Sequence, residues 1–460
     1  MNTPRVVISA TTSDAGKTLI TSAIVRILRK RGFKVQTFKV GPDYIDPMYL
    51  SRAAERPCRN LDSWLMSEDT VKYAFMSGSE GVDLALIEGV RGLYEGESPT
   101  EDYGSTAHIA KILSAPVILV VDCKSLTRSV AAQIIGYQAM DGEVNIAGVL
   151  LNNVKDASHE EKLRRAIQHY TNVPVIGLLY RSPDFHLKKR HLGLVTPHEL
   201  SNVDKVLNNA AEALERSLDI DRLIDIMKTC SEIDVDLKDD LLPRRESKGR
   251  KLKVGVFMDA PFSFYYYDNL LMLRRAGAEI SVIDSLSSRD LDDDLSGILI
   301  GGGYPEIFAS ELEKNSSLRQ SLKEVISDGM PVIGECGGLM YLCRSINYSG
   351  RSYEMVGVFD GDVYFDDKPR ALSYVELRAK LETPISDPGN VLRGHEFHYS
   401  YIENLSCEFA FDVLRGKGIR DRMDGATVHR TVGTYTHLHY LARPDVPIKF
   451  LSACEKYANR

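Results

Sequence analysis

The chain has 460 residues, and its 57 Lys and Arg against 64 Asp and Glu leave a net charge of −7. No basic excess points to nucleic acid or an anionic membrane surface, and 43% hydrophobic with 26% charged residues describes two or three globular domains, not a disordered or fibrous chain. The longest apolar run, Ile112 to Val121, is about half the ~20 residues a membrane span needs.

From the start, Met1 to Thr12 shows Val6-Val7-Ile8 as strand and none of the basic, apolar and small-residue sections of a signal peptide, so a cytoplasmic protein is expected. Apolar runs predict buried strands at 5–10, 34–40, 84–88, 117–122, 146–152 and 175–179, alternating with helical patterns. That alternation means a parallel α/β sheet with helices on both faces. Between the first two runs, Ile20, Ile24, Ile27 and Leu28 fall on one face of a helix that stops at Gly32 after Arg29, Lys30 and Arg31. The charged stretch Ile233 to Lys253, with Pro243 and Gly249, marks a boundary. We therefore expect one domain over 1–235, a linker over 236–250 and a second α/β domain over 251–460, with strands at 253–257, 279–283 and 297–300 and a helix around 270–275. Seven cysteines, scattered and without a Cys-x-x-Cys pair, predict free thiols.

Strand Val6 to Ser9 runs into Thr11-Thr12-Ser13-Asp14-Ala15-Gly16-Lys17-Thr18 and then the helix, the order a phosphate-binding loop needs. Amides over Thr12, Ser13, Ala15 and Gly16 would face a polyphosphate at the positive helix end, Lys17 would reach the outer phosphates, and Thr18 would ligate Mg²⁺. Thr11 stands where the pattern has its first glycine. Lys39-Val-Gly41-Pro42-Asp43-Tyr44-Ile45-Asp46-Pro47 sits at the carboxyl end of the second strand, where open parallel sheets bind ligands. Asp43 and Asp46 there can hold Mg²⁺ or orient an acceptor, or simply form a turn. Glu88, ending the strand before Gly89, supplies a second metal-facing carboxylate.

Pro331-Val-Ile-Gly334-Glu335-Cys336-Gly337-Gly338 reads as strand, sharp turn and helix, a nucleophile elbow with Cys336 at its apex and the Gly337 amide free for an oxyanion. Gly433-Thr-Tyr-Thr-His437-Leu-His439 offers the base, His437 or His439, with His437 preferred. Gly301-Gly302-Gly303 after a strand presents further main-chain amides, the other half of an oxyanion hole. Cys123, Cys343 and Cys454 are expected to be buried thiols. His395 and His398 are expected to pack, as is the aromatic run Phe262 to Tyr267.

The thiol elbow, the glycine loop and the late histidine resemble the class I glutamine amidotransferase domain over Lys253 to about Tyr440. The resemblance makes Cys336 the nucleophile, His437 the base, and Gly302, Gly303 and Gly337 the oxyanion hole. Many members carry an acid two places after the base; here that place is His439, as in the cobyric-type branch, so no acid orients the base from the usual position. With Gly41-Pro-Asp-Tyr-Ile-Asp-Pro, Cys58-Arg-Asn-Leu-Asp-Ser-Trp-Leu-Met66, Glu88-Gly-Val-Arg-Gly-Leu-Tyr-Glu95-Gly, Arg190-His-Leu-Gly-Leu194, Phe262-Ser-Phe-Tyr-Tyr266 and Gly394-His-Glu-Phe-His-Tyr-Ser400, the chain resembles the cobyrinic acid a,c-diamide synthase family nearly end to end. The first domain then resembles dethiobiotin synthetase. Glu95 stands where the family usually has Asp, in a metal- or acceptor-positioning place.

The resemblance implies ATP- and glutamine-dependent amidation of two carboxylates of cobyrinic acid, with ATP and Mg²⁺ as cofactors. A carboxylate has no leaving group, so ATP must first make it an acyl phosphate, and ammonia must reach that species before water does. A Ni-sirohydrochlorin a,c-diamide synthase shares this architecture and amidates equivalent carboxylates of a nickel tetrapyrrole; the unbroken Gly41-Pro42-Asp43 favours the corrinoid. A partition-type ATPase switch also uses a Gly-Lys-Thr loop but leaves Cys336 idle. Oligomeric state, a homo-oligomer included, is open from sequence.

Overall fold

The structure, a computed structural model, describes residues 3–185, 187, 189–190, 193–234 and 252–460. Its contacts divide the chain into Met1–Leu237 and Lys238–Arg460. The expected linker, 236–250, lies outside the described residues.

The first unit is built on β1 (Arg5–Ala10), β2 (Val35–Val40), β3 (Arg59–Leu61), β4 (Leu84–Glu88), β5 (Val117–Asp122), β6 (Ile146–Val154) and β7 (Val175–Tyr180). All seven are parallel, in the order β3-β2-β4-β1-β5-β6-β7. Every residue of β1, β2 and β4 is buried, as expected of central strands covered on both faces. Helix α1 (Lys17–Lys30) buries Ile20, Ile24, Ile27 and Leu28, and Gly32, at φ +93°, closes it by donating to Arg29 O at 2.9 Å. Helix α2 (Ile45–Ala54) follows β2. Strand β3 escapes the hydrophobic pattern because its Arg59 and Asn60 are polar yet buried; Asn60 Nδ2 binds Gly41 O and Asp43 O at 2.9 and 2.8 Å, so the strand anchors the loop after β2. The motif at 190–194 falls on a small hairpin, β8 (Lys189–Arg190) with β9 (Gly193–Leu194); His191 and Leu192 lie outside the described residues.

The second unit restarts with β10 (Leu252–Phe257), β11 (Ala278–Ile283), β12 (Leu295–Ile300) and β13 (Val332–Glu335), all parallel. Strands β14 (Cys343–Tyr348), β15 (Arg351–Glu354), β16 (Phe359–Phe365) and the later β19 form a separate small sheet. The chain then adds β17 (Ala371–Ala379), β18 (Val391–His398), β19 (Ser400–Glu403), β20 (Glu408–Arg415), β21 (Met423–Val428), β22 (Thr431–Thr434) and β23 (His437–Leu438). The main sheet runs β11-β10-β12-β13-β22-β21-β20-β17-β18-β23, parallel up to β22 and antiparallel beyond. Phe257, Phe262, Ile298, Ile300, Leu339, Tyr341 and Phe359 fill its core. All seven cysteines are free, and Cys123, Cys343 and Cys454 are buried. No described helix is long and apolar enough to cross a membrane.

Candidate active sites

In the first unit the site grows from the carboxyl ends of β1, β2 and β4. Between β1 and α1 the loop turns through Asp14 at φ +64° and Gly16 at φ +91°. A side chain at Gly16 would meet Asn152 Nδ2 at 2.4 Å, the same amide that donates to Ala15 O at 2.8 Å, so this glycine is required twice over. The missing first glycine has a local reason: Thr11 does not adopt a positive φ, and its N–H donates to Val120 O at 3.1 Å while its carbonyl accepts from the Tyr137 hydroxyl. Thr11 therefore continues the sheet edge instead of turning.

Thr18 Oγ1 donates to Glu88 Oε1 at 2.9 Å, and the buried Lys39 Nζ lies 2.7 Å from both Glu88 Oε1 and Asp46 Oδ2. Burial pulls the Lys39 ammonium down, but Asp46, Glu88 and Asp43 together hold it above its ordinary range. Burial also raises the Glu88 carboxyl; it would raise Asp46 too, where Lys39 prevails and lowers it. Asp43 Oδ1 accepts from Ile45 N at 2.8 Å and Asp46 N at 3.0 Å, a turn at the entry to α2, and burial with Asp46 nearby pushes its carboxyl up to about 7. Glu95 is exposed and lines a surface pocket with Arg91, Tyr94 and Tyr137. Thr18, Asp43, Asp46 and Glu88 thus gather around Lys39, a residue the sequence pattern did not single out. Its signal was a lysine inside a fully buried strand, where charge persists only if paired.

Among the described residues no group of three or more His, Cys, Asp and Glu is placed to hold a metal alone. Mg²⁺ needs only one or two carboxylates beside phosphate and water oxygens, and Glu88 Oε2, buried with no hydrogen-bond partner, next to Thr18 Oγ1, fits that requirement.

Lys17 Nζ donates to Arg91 O, and its ammonium is pushed down to about 8, first by burial and then by Lys39. Phosphate oxygens recruit the charged form. ATP affinity at constant ionic strength is therefore expected to weaken as pH rises through about 8, checked by calorimetric titration. The Lys17→Ala protein, which lacks the group, should bind weakly with a flat profile over that range.

In the second unit Cys336 stands at φ +48°, ψ −96°, between β13 and the helix Gly337–Leu342. A non-glycine residue there stores about 1–3 kcal/mol of strain and projects its side chain from the turn. Cys336 N donates to Thr434 O at 2.7 Å, locking the elbow to β22. The glycine loop and the elbow expected to form an oxyanion hole lie against each other: a Cβ on Gly337 would sit 3.0 Å from Gly303 N and 3.3 Å from Gly302 C. Gly303, at φ +152°, has Pro261 O 2.0 Å from its would-be Cβ, and a Cβ on Gly302 would lie 2.7 Å from His437 Cε1. Tyr265, inside the aromatic run, fixes this loop by accepting from Gly301 N at 2.7 Å and donating to Phe257 O.

His437 opens β23, buried, and hydrogen-bonds the Cys336 thiol. Its Nδ1 lies 3.3 Å from Glu335 Oε2, and its ring stacks on His395 at 5.1 Å. Burial alone would lower the imidazole, yet its hydrogen bonds with Cys336 and Glu335 push it up to about 9. His395 packs as expected, against His437, with its hydroxyl partner Tyr266 at 3.1 Å; burial, His437 and His439 keep it well below its ordinary range. His398 stacks on Tyr435 at 3.7 Å. The buried Asp424 accepts from Thr434 Oγ1, Thr436 Oγ1, Tyr435 N and Thr436 N at 2.7–3.2 Å, bracing the approach to His437. His439 instead lays its ring on Tyr266 at 4.5 Å. His437→Asn should cost about 10²–10⁴ in glutamine hydrolysis and His439→Asn about tenfold or less, by steady-state assay; the reverse order would exchange their roles.

Residues 6–195 match the CobQ/CobB/MinD/ParA nucleotide binding domain, and residues 253–445 match the CobB/CobQ-like glutamine amidotransferase domain. The "Cobyrinate a,c-diamide synthase" of Methanosarcina acetivorans is 41% identical over 99% of this chain and 96% of its own. That of Methanothermobacter thermautotrophicus is 42% identical over 97% and 98%, and that of Dehalococcoides mccartyi strain CBDB1 39% over 98% of each. The chain belongs to the cobyrinate a,c-diamide synthase family. As a member of that family it is an enzyme, a carbon–nitrogen ligase of the glutamine amidotransferase type. The nucleotide-binding match takes in the Thr11–Thr18 loop, Lys39, Asp46 and Glu88; the amidotransferase match takes in Gly303, Cys336 and His437.

Proposed function

We propose that this synthase converts the a and c carboxylates of cobyrinic acid to amides, activating each with ATP as an acyl phosphate and taking ammonia from glutamine. One observation carries the reading: a single chain holds both a phosphate loop whose Thr18 touches a buried acid and a thiol elbow whose Cys336 touches a buried histidine. The name shared by relatives matched almost end to end supports the acceptor.

In the amidotransferase unit, the Cys336 thiolate attacks the side-chain amide carbon of glutamine, and the Gly302, Gly303 and Gly337 amides stabilise the oxygen that becomes negative. His437 gives its proton to the departing ammonia, and water then cleaves the thioester to glutamate. In the synthetase unit, an acceptor carboxylate oxygen attacks the γ-phosphorus and ADP leaves. Ammonia attacks the acyl carbon, and phosphate departs. Lys17 and the loop amides hold the phosphates and Asp43 and Asp46 orient the acceptor edge; Thr18 and Glu88 would hold Mg²⁺, which when bound would supply charge neutralisation at the phosphoryl group.

The test is incubation with ATP, Mg²⁺ and glutamine against cobyrinic acid or nickel sirohydrochlorin, with product masses read. Two successive acid-to-amide mass changes on cobyrinic acid are expected. Amidation of the nickel tetrapyrrole with none of cobyrinic acid would overturn the assignment.

A further inference from the structure

We propose that Glu335, the strand residue immediately before the nucleophile, is the positioning carboxylate of the glutaminase site, holding His437 through Nδ1. The inference rests on the glutaminase reading of Cys336 and deepens it.

Backbone pairing dictates the juxtaposition. Strand β13 runs parallel to β22 with Glu335 opposite Thr434, and Cys336 N donates to Thr434 O at 2.7 Å. His437 is three residues beyond that anchor. Side chains alternate along a strand, so Gly334 and Glu335 face opposite ways. A Cβ on Gly334 would touch Leu342 at 2.7 Å, toward the helix that follows the thiol, whereas Glu335 points to the imidazole. The thiol and its orienting acid are thus adjacent in sequence, and both meet one ring.

The carboxylate is only 8% exposed, and its oxygen lies 3.3 Å from Nδ1. A carboxyl group so buried needs a polar partner, and the imidazole supplies one. Tyr265 and Tyr440 also feel its charge. With Nδ1–H committed to Glu335, Nε2 is the nitrogen left for the thiol, the division of labour a Ser-His-Asp site uses. The place two residues after the base, where an acid would stand in many related domains, is occupied by His439, whose ring lies on Tyr266. The titratable groups facing His437 are Cys336 and Glu335 at the elbow, His395 on β18 and His439 beyond it. Of these, Glu335 is the carboxyl group.

The test uses the full-length protein. Glu335→Gln keeps the shape and removes the charge. Glutamine hydrolysis is expected to lose at least about tenfold in kcat with KM for glutamine nearly unchanged, because the carboxylate touches the base and not the substrate. Alkylation of Cys336 by iodoacetamide adds a readout that a purely structural role would not move. Without Glu335 the imidazolium that pairs with a thiolate is less favoured, so alkylation at neutral pH should slow several-fold. Glu335→Asp, with its charge withdrawn by one methylene, should fall between the two. Should Glu335→Gln lose its cooperative melting transition, Glu335→Asp carries the same two readouts. Wild-type kcat and an unchanged alkylation rate in a folded Glu335 variant would overturn the inference. No glutamine hydrolysis by the unaltered protein, or hydrolysis surviving Cys336→Ala, would overturn the glutaminase reading itself; hydrolysis that needs Cys336 and ignores Glu335 overturns this inference alone.

Discussion

Replacing Cys336 with alanine is expected to reduce glutamine-dependent amidation to background while amidation from ammonium salt and ATP continues at near the unaltered rate. In the proposed reaction the thiol forms the thioester, and its described neighbours His437, His395 and Glu335 offer no second thiol at the elbow. Removing the nucleophile of such a site typically costs ~10⁴ or more in rate. The phosphate loop, Lys39 and Glu88 belong to the other unit, and in the proposed mechanism they serve acyl phosphate formation whichever source the ammonia has. Alanine also relaxes little of the φ +48° strain, so the elbow keeps its shape. Assays with each nitrogen donor, with acceptor masses read, decide the matter; loss of both activities in a variant that still melts cooperatively would refute the division of labour.

The second large effect is one of stability. Lys39→Met is expected to lower the unfolding free energy by about 3–5 kcal/mol, because it strands Glu88, fully buried, and Asp46 beside it without their shared cation. The loss should depend on pH with a definite sign. Glu88 has a folded pKa raised above its unfolded one, so its ionised form is a burden above that range and its protonated form is not. With the cation gone, the penalty should be largest near neutrality and shrink as pH falls and Glu88 takes up a proton. Asp46, whose carboxyl Lys39 keeps low in the unaltered protein, should rise in the variant and add to the same trend. Urea denaturation at several pH values measures it. A penalty independent of pH would mean that Lys39 contributes through packing and not charge. Adding Glu88→Gln to the variant should recover part of the loss.

Much of the first unit was legible because its strands are short, apolar and covered on both faces. The expected runs at 5–10, 84–88 and 117–122 match β1, β4 and β5, and the others differ at their ends by one or two residues. Strand β3 was hidden because its side chains serve a loop and not the core. In the second unit the parallel strands were readable, but the antiparallel strands from β17 to β21 were not. They alternate buried and exposed positions, and polar residues on the exposed face break up any apolar run. The motifs located Cys336, His437 and the glycines, since sharp turns leave a compositional trace. Their supporting residues left fainter ones. Asp424 braces the histidine strand from a distance in sequence that no spacing rule spans, and Lys39 and Glu335 are visible only as charges that have no business in buried strands unless something opposite answers them.

The pairing of β13 with β22 also governs when this enzyme can come into being. Val332 and Thr431 are neighbours in the sheet, yet all of β14 through β21 is strung between them. Contacts between such distant segments form late, because the entropy of closing the intervening chain must be met before the pairing repays it. A growing polypeptide that has emerged only to residue 430 carries Cys336 on an unfinished edge, without Thr434 to accept the elbow's amide and without His437. Cys336 is made early in synthesis and meets its histidine only at the end.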